Sequence, residues 1–174
     1  MHGSLDRDTP VELLEEVDRE LQFRRARAQI YVIGSAAMSL AYARERTTAD
    51  IDARVEKGHS ALLEAVRTVG RRRGLPDSWL NEQAPTAIPR TKDGSPRTLY
   101  ASEHLTVTGA SPRHLLAMKL QAGRTKDEQD IAVLVAELGL ASPAEAIAVH
   151  DELFPDEPLD RAKRELVERV FGNP

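Results

Sequence analysis

Tyr31-Val32-Ile33-Gly34-Ser35-Ala36-Ala37-Met38-Ser39-Leu40 passes from an apolar, β-branched run into a string of helix formers, with a Gly-Ser pair at the switch. Sixteen residues after the glycine comes Asp50-Ile51-Asp52-Ala53-Arg54-Val55, preceded by Arg46 and Thr48. Gln29 to Ile33 has the composition of a strand. Gly34 permits a tight turn, Ser35 suits a helix N-cap, and Ala36 to Ala43 continues as helix. Asp50 to Val55 reads as a second strand. Residues two apart on a strand share a face, so Asp50 and Asp52 point together while Ile51 and Ala53 point into a core.

Outward from this stretch the chain alternates and then turns helical. Thr9-Pro10 opens a helix with Glu12, Glu15 and Glu16 in its early turns, as the helix dipole favours; it is expected to end near Arg27. Ser60 to Val66 begins another helix, stopped by Arg71-Arg72-Arg73-Gly74. Pro76 to Pro96 reads as loop, with Trp79-Leu80-Asn81 as a short packed turn and Trp79 as its anchor. Thr98–Ser102 and Leu105–Thr108 read as short strands. Ser111-Pro112 opens a helix that Gly123 ends. Thr125–Leu138, Ser142 to Phe154 and Pro158–Phe171 are the remaining helices. The expected fold is α+β: a small mixed sheet flanked by helices, with an all-helical C-terminal third packed on it. One domain is expected over residues 1–174, with an α/β core over 1–110 and a helical part over 111–174.

Composition excludes several classes. The 174 residues are 41% hydrophobic and 30% charged, the balance of a globular chain. There is no cysteine, which removes disulfides, zinc-thiolate sites and thiol nucleophiles. No apolar run approaches the ~18 residues of a membrane span, and the polar N-terminus has no signal-peptide pattern, so a cytoplasmic location is expected. Aromatic content of 4% leaves few platforms for stacking bases. Net charge is −4, and no DNA-binding signal stands out. Basic residues do cluster, at Arg24-Arg25-Ala26-Arg27 and Arg71-Arg72-Arg73; these read either as solvated helix ends or as a patch for RNA phosphates or an acidic partner. His2, His59, His104, His114 and His150 show no metal-ligand spacing and read as surface or cap residues. Asp151-Glu152 and Asp156-Glu157 read as a solvated face.

The chemistry concentrates in the opening stretch. A helix start offers free N–H groups and the positive end of its dipole to an anion. Gly34 lets a phosphate approach the backbone, and Ser35 adds a hydroxyl donor. Two parallel carboxylates repel unless a cation binds them. Oxygen ligands favour Mg²⁺, which takes one or two carboxylates and completes its shell from water and substrate phosphates. Two such ions, ~3.5–4 Å apart, would clamp the attacking and leaving oxygens of a phosphoryl displacement. These features together fit a magnesium-dependent site for a nucleoside triphosphate (NTP).

Leu116-Ala117-Met118-Lys119-Leu120 through Asp127-Glu128-Gln129-Asp130-Ile131 is the second unusual segment. Lys119 lies on a mostly apolar helix, and Asp127 and Asp130 share a helix face. The lysine either reaches an anion, snorkels to the surface, or forms a buried ion pair with Asp130.

On Gly34-Ser35, Arg46-x-Thr48-x-Asp50-Ile51-Asp52, Trp79-Leu80-Asn81, Leu105-Thr106-Val107 and Leu115 to Lys119, with Arg124, Lys126, Asp127, Asp130 and Ile131, the chain resembles minimal nucleotidyltransferases of the DNA-polymerase-β-like fold. More narrowly it is similar to AbiEii-type toxin-like proteins and their short single-domain relatives. The resemblance runs from about residue 28 onward. It implies metal binding by Asp50 and Asp52, catalytic roles for Asp50, Asp52, Lys119 and Asp130, and triphosphate contacts from Gly34, Ser35 and Lys119. Arg46 and Thr48 would brace the loop or touch phosphate. It further implies two Mg²⁺ ions, an NTP substrate, a tRNA 3′ end or a protein as acceptor, and an antitoxin partner. Many members of the wider superfamily have a third carboxylate on a later strand. Leu105 to Thr108 has none, which leaves Glu103, Asp127 or Asp130 as substitutes, or a two-carboxylate site. The alternative is a non-catalytic nucleotide-binding or partner-binding module on the same fold.

Overall fold

The computed structural model describes residues 10–42, 50–82 and 88–172. Among them are α1 (Pro10–Phe23), β1 (Ala28–Ile33), α2 (Gly34–Tyr42), β2 (Ile51–Lys57), α3 (His59–Arg73), β3 (Leu80–Glu82), β4 (Arg97–Ala101) and β5 (Leu105–Gly109). Then follow α4 (Pro112–Ala122), α5 (Glu128–Glu137), α6 (Pro143–Leu153) and α7 (Arg161–Gly172), with a 3-10 turn at Thr125–Asp127 before α5. The fold is α+β, with a five-stranded mixed sheet and only helices after β5. The chain divides into two compact units. The first comprises Met1–Gln83 and Pro96–Gly109; the second comprises Ala84–Ser95 and Ala110–Pro174.

In the first unit the sheet order is β3-β2-β1-β5-β4. β1 runs antiparallel to β2 and parallel to β5, β3 is parallel to β2, and β4 is antiparallel to β5. One face is apolar throughout: Ile30, Val32, Ile51, Ala53, Leu105 and Val107 are fully buried. Asp52 sits between Ile51 and Ala53 and is only half-buried, as the strand's period of two requires. Parallel β2 and β3 are joined through α3, so β3 begins at the end of the sheet where β2 begins.

Helices α1 and α3 are held by apolar contact and by charge. Leu13, Leu14, Val17 and Leu21 of α1 are buried, as are Leu62, Ala65, Val66 and Val69 of α3. Arg73 forks onto buried Glu16, Arg72 reaches Glu20, and Arg24 meets Glu64 at 2.6 Å. Arg24, Arg72 and Arg73 are therefore matched to carboxylates while remaining exposed. Helix α1 stops at Phe23, short of Arg27, because Arg25 turns left-handed (φ 52°). Ala26 N then donates to Leu21 O and Arg25 N to Gln22 O, which together form a Schellman motif.

Trp79 is fully buried and donates from Nε1 to Val66 O at 3.0 Å, so it anchors as its sequence suggests. The residues after it are a strand and not a turn: Leu80–Glu82 pair with the start of β2. Three residues are too few to display a strand period, so only the pairing identifies them.

In the second unit Ser111 caps α4 by accepting from His114 N, Pro112 occupies the first turn, and Gly123 ends the helix at φ 63°. Ser142 caps α6 in the same way, accepting from Glu145 N. Helix α7 begins at Arg161, three residues beyond the expected Pro158, because the Asp160 carboxylate accepts from Lys163 N and fixes the start there. His114 is buried in the first turn of α4 against its cap Ser111, and His150, neither surface nor cap, is buried in α6. His150 stacks on Phe154 with ring centroids 5.4 Å apart and bonds Gln121, so a packed polar pair holds it inside. Asp151, Glu152, Asp156 and Glu157 are exposed.

Candidate active site

The β1–α2 junction and the start of β2 meet because the register pairs Ile33 with Asp52. The next residue, Gly34, has φ 65°, a conformation that costs an L-residue with a side chain ~1–2 kcal/mol. A Cβ placed on it would lie 3.6 Å from Asp52 Oδ2. Gly34 thus brings bare backbone beside a carboxylate. Helix α2 opens at Gly34 itself, so Ser35, half-buried, lies in its first turn rather than at a cap before it.

Asp50 is exposed and sits at the bend one residue before β2, while Asp52 is within the strand. Asn81 of β3 stands opposite Asp52 in the register, and its Nδ2 donates to Asp50 Oδ2 at 2.9 Å. Ile51 N also donates to Trp79 O at 2.7 Å. The short edge strand and the tryptophan before it therefore hold Asp50 and Ile51. Asn81 falls within the segment that carries the resemblance, but its amide's role depends on the β2–β3 pairing, which no local pattern announces. On the same face, Arg54 lies over the Tyr31 ring at 4.8 Å and bonds Glu56 at 3.0 Å. Arg46 and Thr48 lie outside the described residues.

Glu103 does not join this site. Its carboxylate accepts from Arg27 at 3.0 Å, at the start of β1, whereas Asp52 faces the last residue of β1. Five strand residues intervene, a span of about 17 Å. The β5 residues aligned with the Asp52 face through Gln29 and Tyr31 are Thr106 and Thr108, which carry no carboxylate. Among the described residues no three His, Cys, Asp or Glu side chains converge as a metal-binding group. Asp50 and Asp52 remain as a pair of hard oxygen donors beside open backbone, a set that fits Mg²⁺ sharing its shell with phosphate and water.

Lys119, Asp127 and Asp130 form a second cluster, inside the second unit. Lys119 Nζ lies 2.9 Å from Asp127 Oδ1 and 3.0 Å from Asp130 Oδ2. Relative exposures are 5%, 4% and 0% in that order, so the cluster is buried. It ties α4 to the turn and helix that follow, which is the geometry of the buried ion pair. The Lys119 ammonium touches both carboxylates.

The class of protein is a nucleotidyltransferase, as the family that matches most of the chain shows. The family described as "Nucleotidyltransferase of unknown function (DUF6036)" matches residues 11–167, and the chain belongs to it. That match includes Gly34, Ser35, Asp50, Asp52, Lys119 and Asp130 and reaches into both compact units. No curated protein and no solved structure matches the chain. Among the described residues no helix is long and apolar enough to cross a membrane.

Proposed function

We propose that the chain is a Mg²⁺-dependent nucleotidyltransferase that moves a nucleotide from an NTP to a hydroxyl of RNA, such as a tRNA 3′ end, or of a protein. The observation that carries this reading is the side-by-side placement of Gly34, Asp52 and Asp50 at one end of the sheet. Asp50 and Asp52 would hold magnesium, which supplies charge neutralisation at the triphosphate. The backbone at Gly34 and the Ser35 hydroxyl would hold phosphate oxygens at the start of α2.

In the reaction, an acceptor oxygen forms a bond to the α-phosphorus while the bond to the bridging oxygen of the β-phosphate breaks. Pyrophosphate leaves with that electron pair. The hydroxyl proton passes to a carboxylate of the pair, Asp52 being the better held, and from there to solvent. Asn81 contributes by orienting Asp50. Positioning and charge do the remaining work. The finer likeness to AbiEii-type toxins, with an antitoxin partner, belongs to the same proposal. Lys119 is assigned to the buried ion cluster and not to phosphate, because both flanking carboxylates already engage it.

The test is incubation with each α-labelled NTP, Mg²⁺ and total RNA, followed by separation of RNA from protein. Transfer of label that disappears with Asp50→Asn and Asp52→Asn supports the reading, and the labelled fraction identifies the acceptor. Metal-dependent NTP binding without transfer would instead establish the non-catalytic module.

A further inference from the structure

The first unit carries a depression of about 210 Å³ lined by Arg24, Glu64, Arg67, Thr68 and Arg71. It lies along α3 beside the end of α1. Two of its arginines differ from their neighbours. Arg24, Arg72 and Arg73 each meet a glutamate. Arg67 and Arg71 are exposed, and no carboxylate pairs with either among the described residues. Glu64 is matched by Arg24, so the lining keeps two net positive charges in a chain whose net charge is −4.

The helix dipole does not account for both. Cations are favoured within the last turn only. Arg71 lies there, but Arg67 is six residues from the end of α3 at Arg73. Four residues separate the two, a rise of about 6 Å along the helix, comparable to the separation of neighbouring phosphates on one strand. The lining also contains no apolar side chain. A protein partner would need a desolvated apolar centre, whereas backbone recognition of nucleic acid needs only guanidinium and hydroxyl groups.

We propose that the Arg24, Arg67 and Arg71 face binds the phosphate backbone of an RNA, holding the acceptor of the transfer reaction. The acceptor role rests on the transferase reading above; the phosphate-binding role does not. Each guanidinium that neutralises a phosphate releases counterions, so binding through this face weakens with salt. Glu64 opposes it, and removing its charge leaves Arg24 only the longer contact to Glu20 at 3.9 Å among its glutamates.

The experiment measures binding of bulk tRNA by fluorescence anisotropy in EDTA over a salt series, with length-matched DNA and polyglutamate as separate probes. Arg67→Gln with Arg71→Gln is expected to weaken tRNA binding on the order of tenfold and to flatten the log–log salt slope by about 1.4–1.8. Glutamine keeps helix propensity at both positions, and circular dichroism verifies the fold. Glu64→Gln is expected to tighten binding. An unchanged slope and affinity in the double variant would overturn the proposal, as would a preference for DNA. Polyglutamate held as tightly as tRNA would show an acidic protein as the occupant and equally overturn it. Binding lost with Arg67 and Arg71 but retained in Asp50→Asn supports the face. If transfer is then absent, only the transferase reading fails.

Discussion

Replacing Lys119 with methionine tests whether its ammonium is a structural charge or a substrate ligand. In the folded chain that ammonium sits 2.9 and 3.0 Å from two carboxylates. All three residues are at most 5% exposed. Lys119→Met keeps the apolar stem and takes the ammonium away from two buried carboxylates. Removing one partner of a buried pair costs ~3–5 kcal/mol. For a chain of this size each kcal/mol moves the melting temperature about 2–4 °C, so a loss of roughly 6–20 °C is expected. The triple variant Lys119→Met, Asp127→Asn, Asp130→Leu removes the charges together and should recover most of that loss, because apolar replacement of a whole buried pair is often neutral. Urea and thermal melts followed by circular dichroism measure both. A single variant within 1 kcal/mol of the parent, or a triple variant no better than the single, would refute the structural assignment. A weaker apparent NTP affinity at unchanged stability would restore Lys119 as a phosphate ligand.

Two further outcomes follow from the first unit. Gly34→Ala should lower stability by ~1–2 kcal/mol, because an L-residue is strained at φ 65°. The new methyl would lie in ordinary contact, 3.6 Å from Asp52 Oδ2, so strain rather than collision sets the cost. An unchanged melting temperature would show that the turn had relaxed. The same methyl should weaken Mg²⁺–NTP binding in calorimetry by more than the fold loses. Tyr100 donates to Asp18 Oδ2 at 2.6 Å, and its phenol is pushed up to about 12 by burial first, then by that hydrogen bond and the Asp18 charge. Its folded value exceeds the unfolded one, so this contribution to stability is complete below pH ~10 and is lost as pH rises toward 12. In an ultraviolet titration Tyr100 should ionise late. Tyr100→Phe should abolish that late phase, and its persistence would contradict the assignment.

Much of both units was legible because the signals are local. The switch from Ile33 to Gly34, the alternation around Ile51 and Ala53, and the caps at Ser111, Gly123 and Ser142 each lie within a few residues. The misses depend on contacts made at a distance. Leu80–Glu82 becomes a strand only beside β2. Arg72 and Arg73 find Glu16 and Glu20 only once α1 and α3 pack together. His150 is buried by its pairing with Gln121 and Phe154, which no spacing rule shows. Asp50 and Asp52 stood out in the sequence, but Asp50 lies one residue before the strand and its bond from Asn81 had no local signal. Glu103 was close in sequence to the right strand and proved to be at its far end.

The grip of β3 on Asp50 sets an order of assembly. Asn81 follows Asp50 by 31 residues. On a ribosome, the two acids emerge well before the amide and the tryptophan carbonyl that fix them. A growing chain that stops short of Asn81 has the acidic pair without its clamp. The acidic pair is therefore braced only once the parallel β2–α3–β3 crossover has closed.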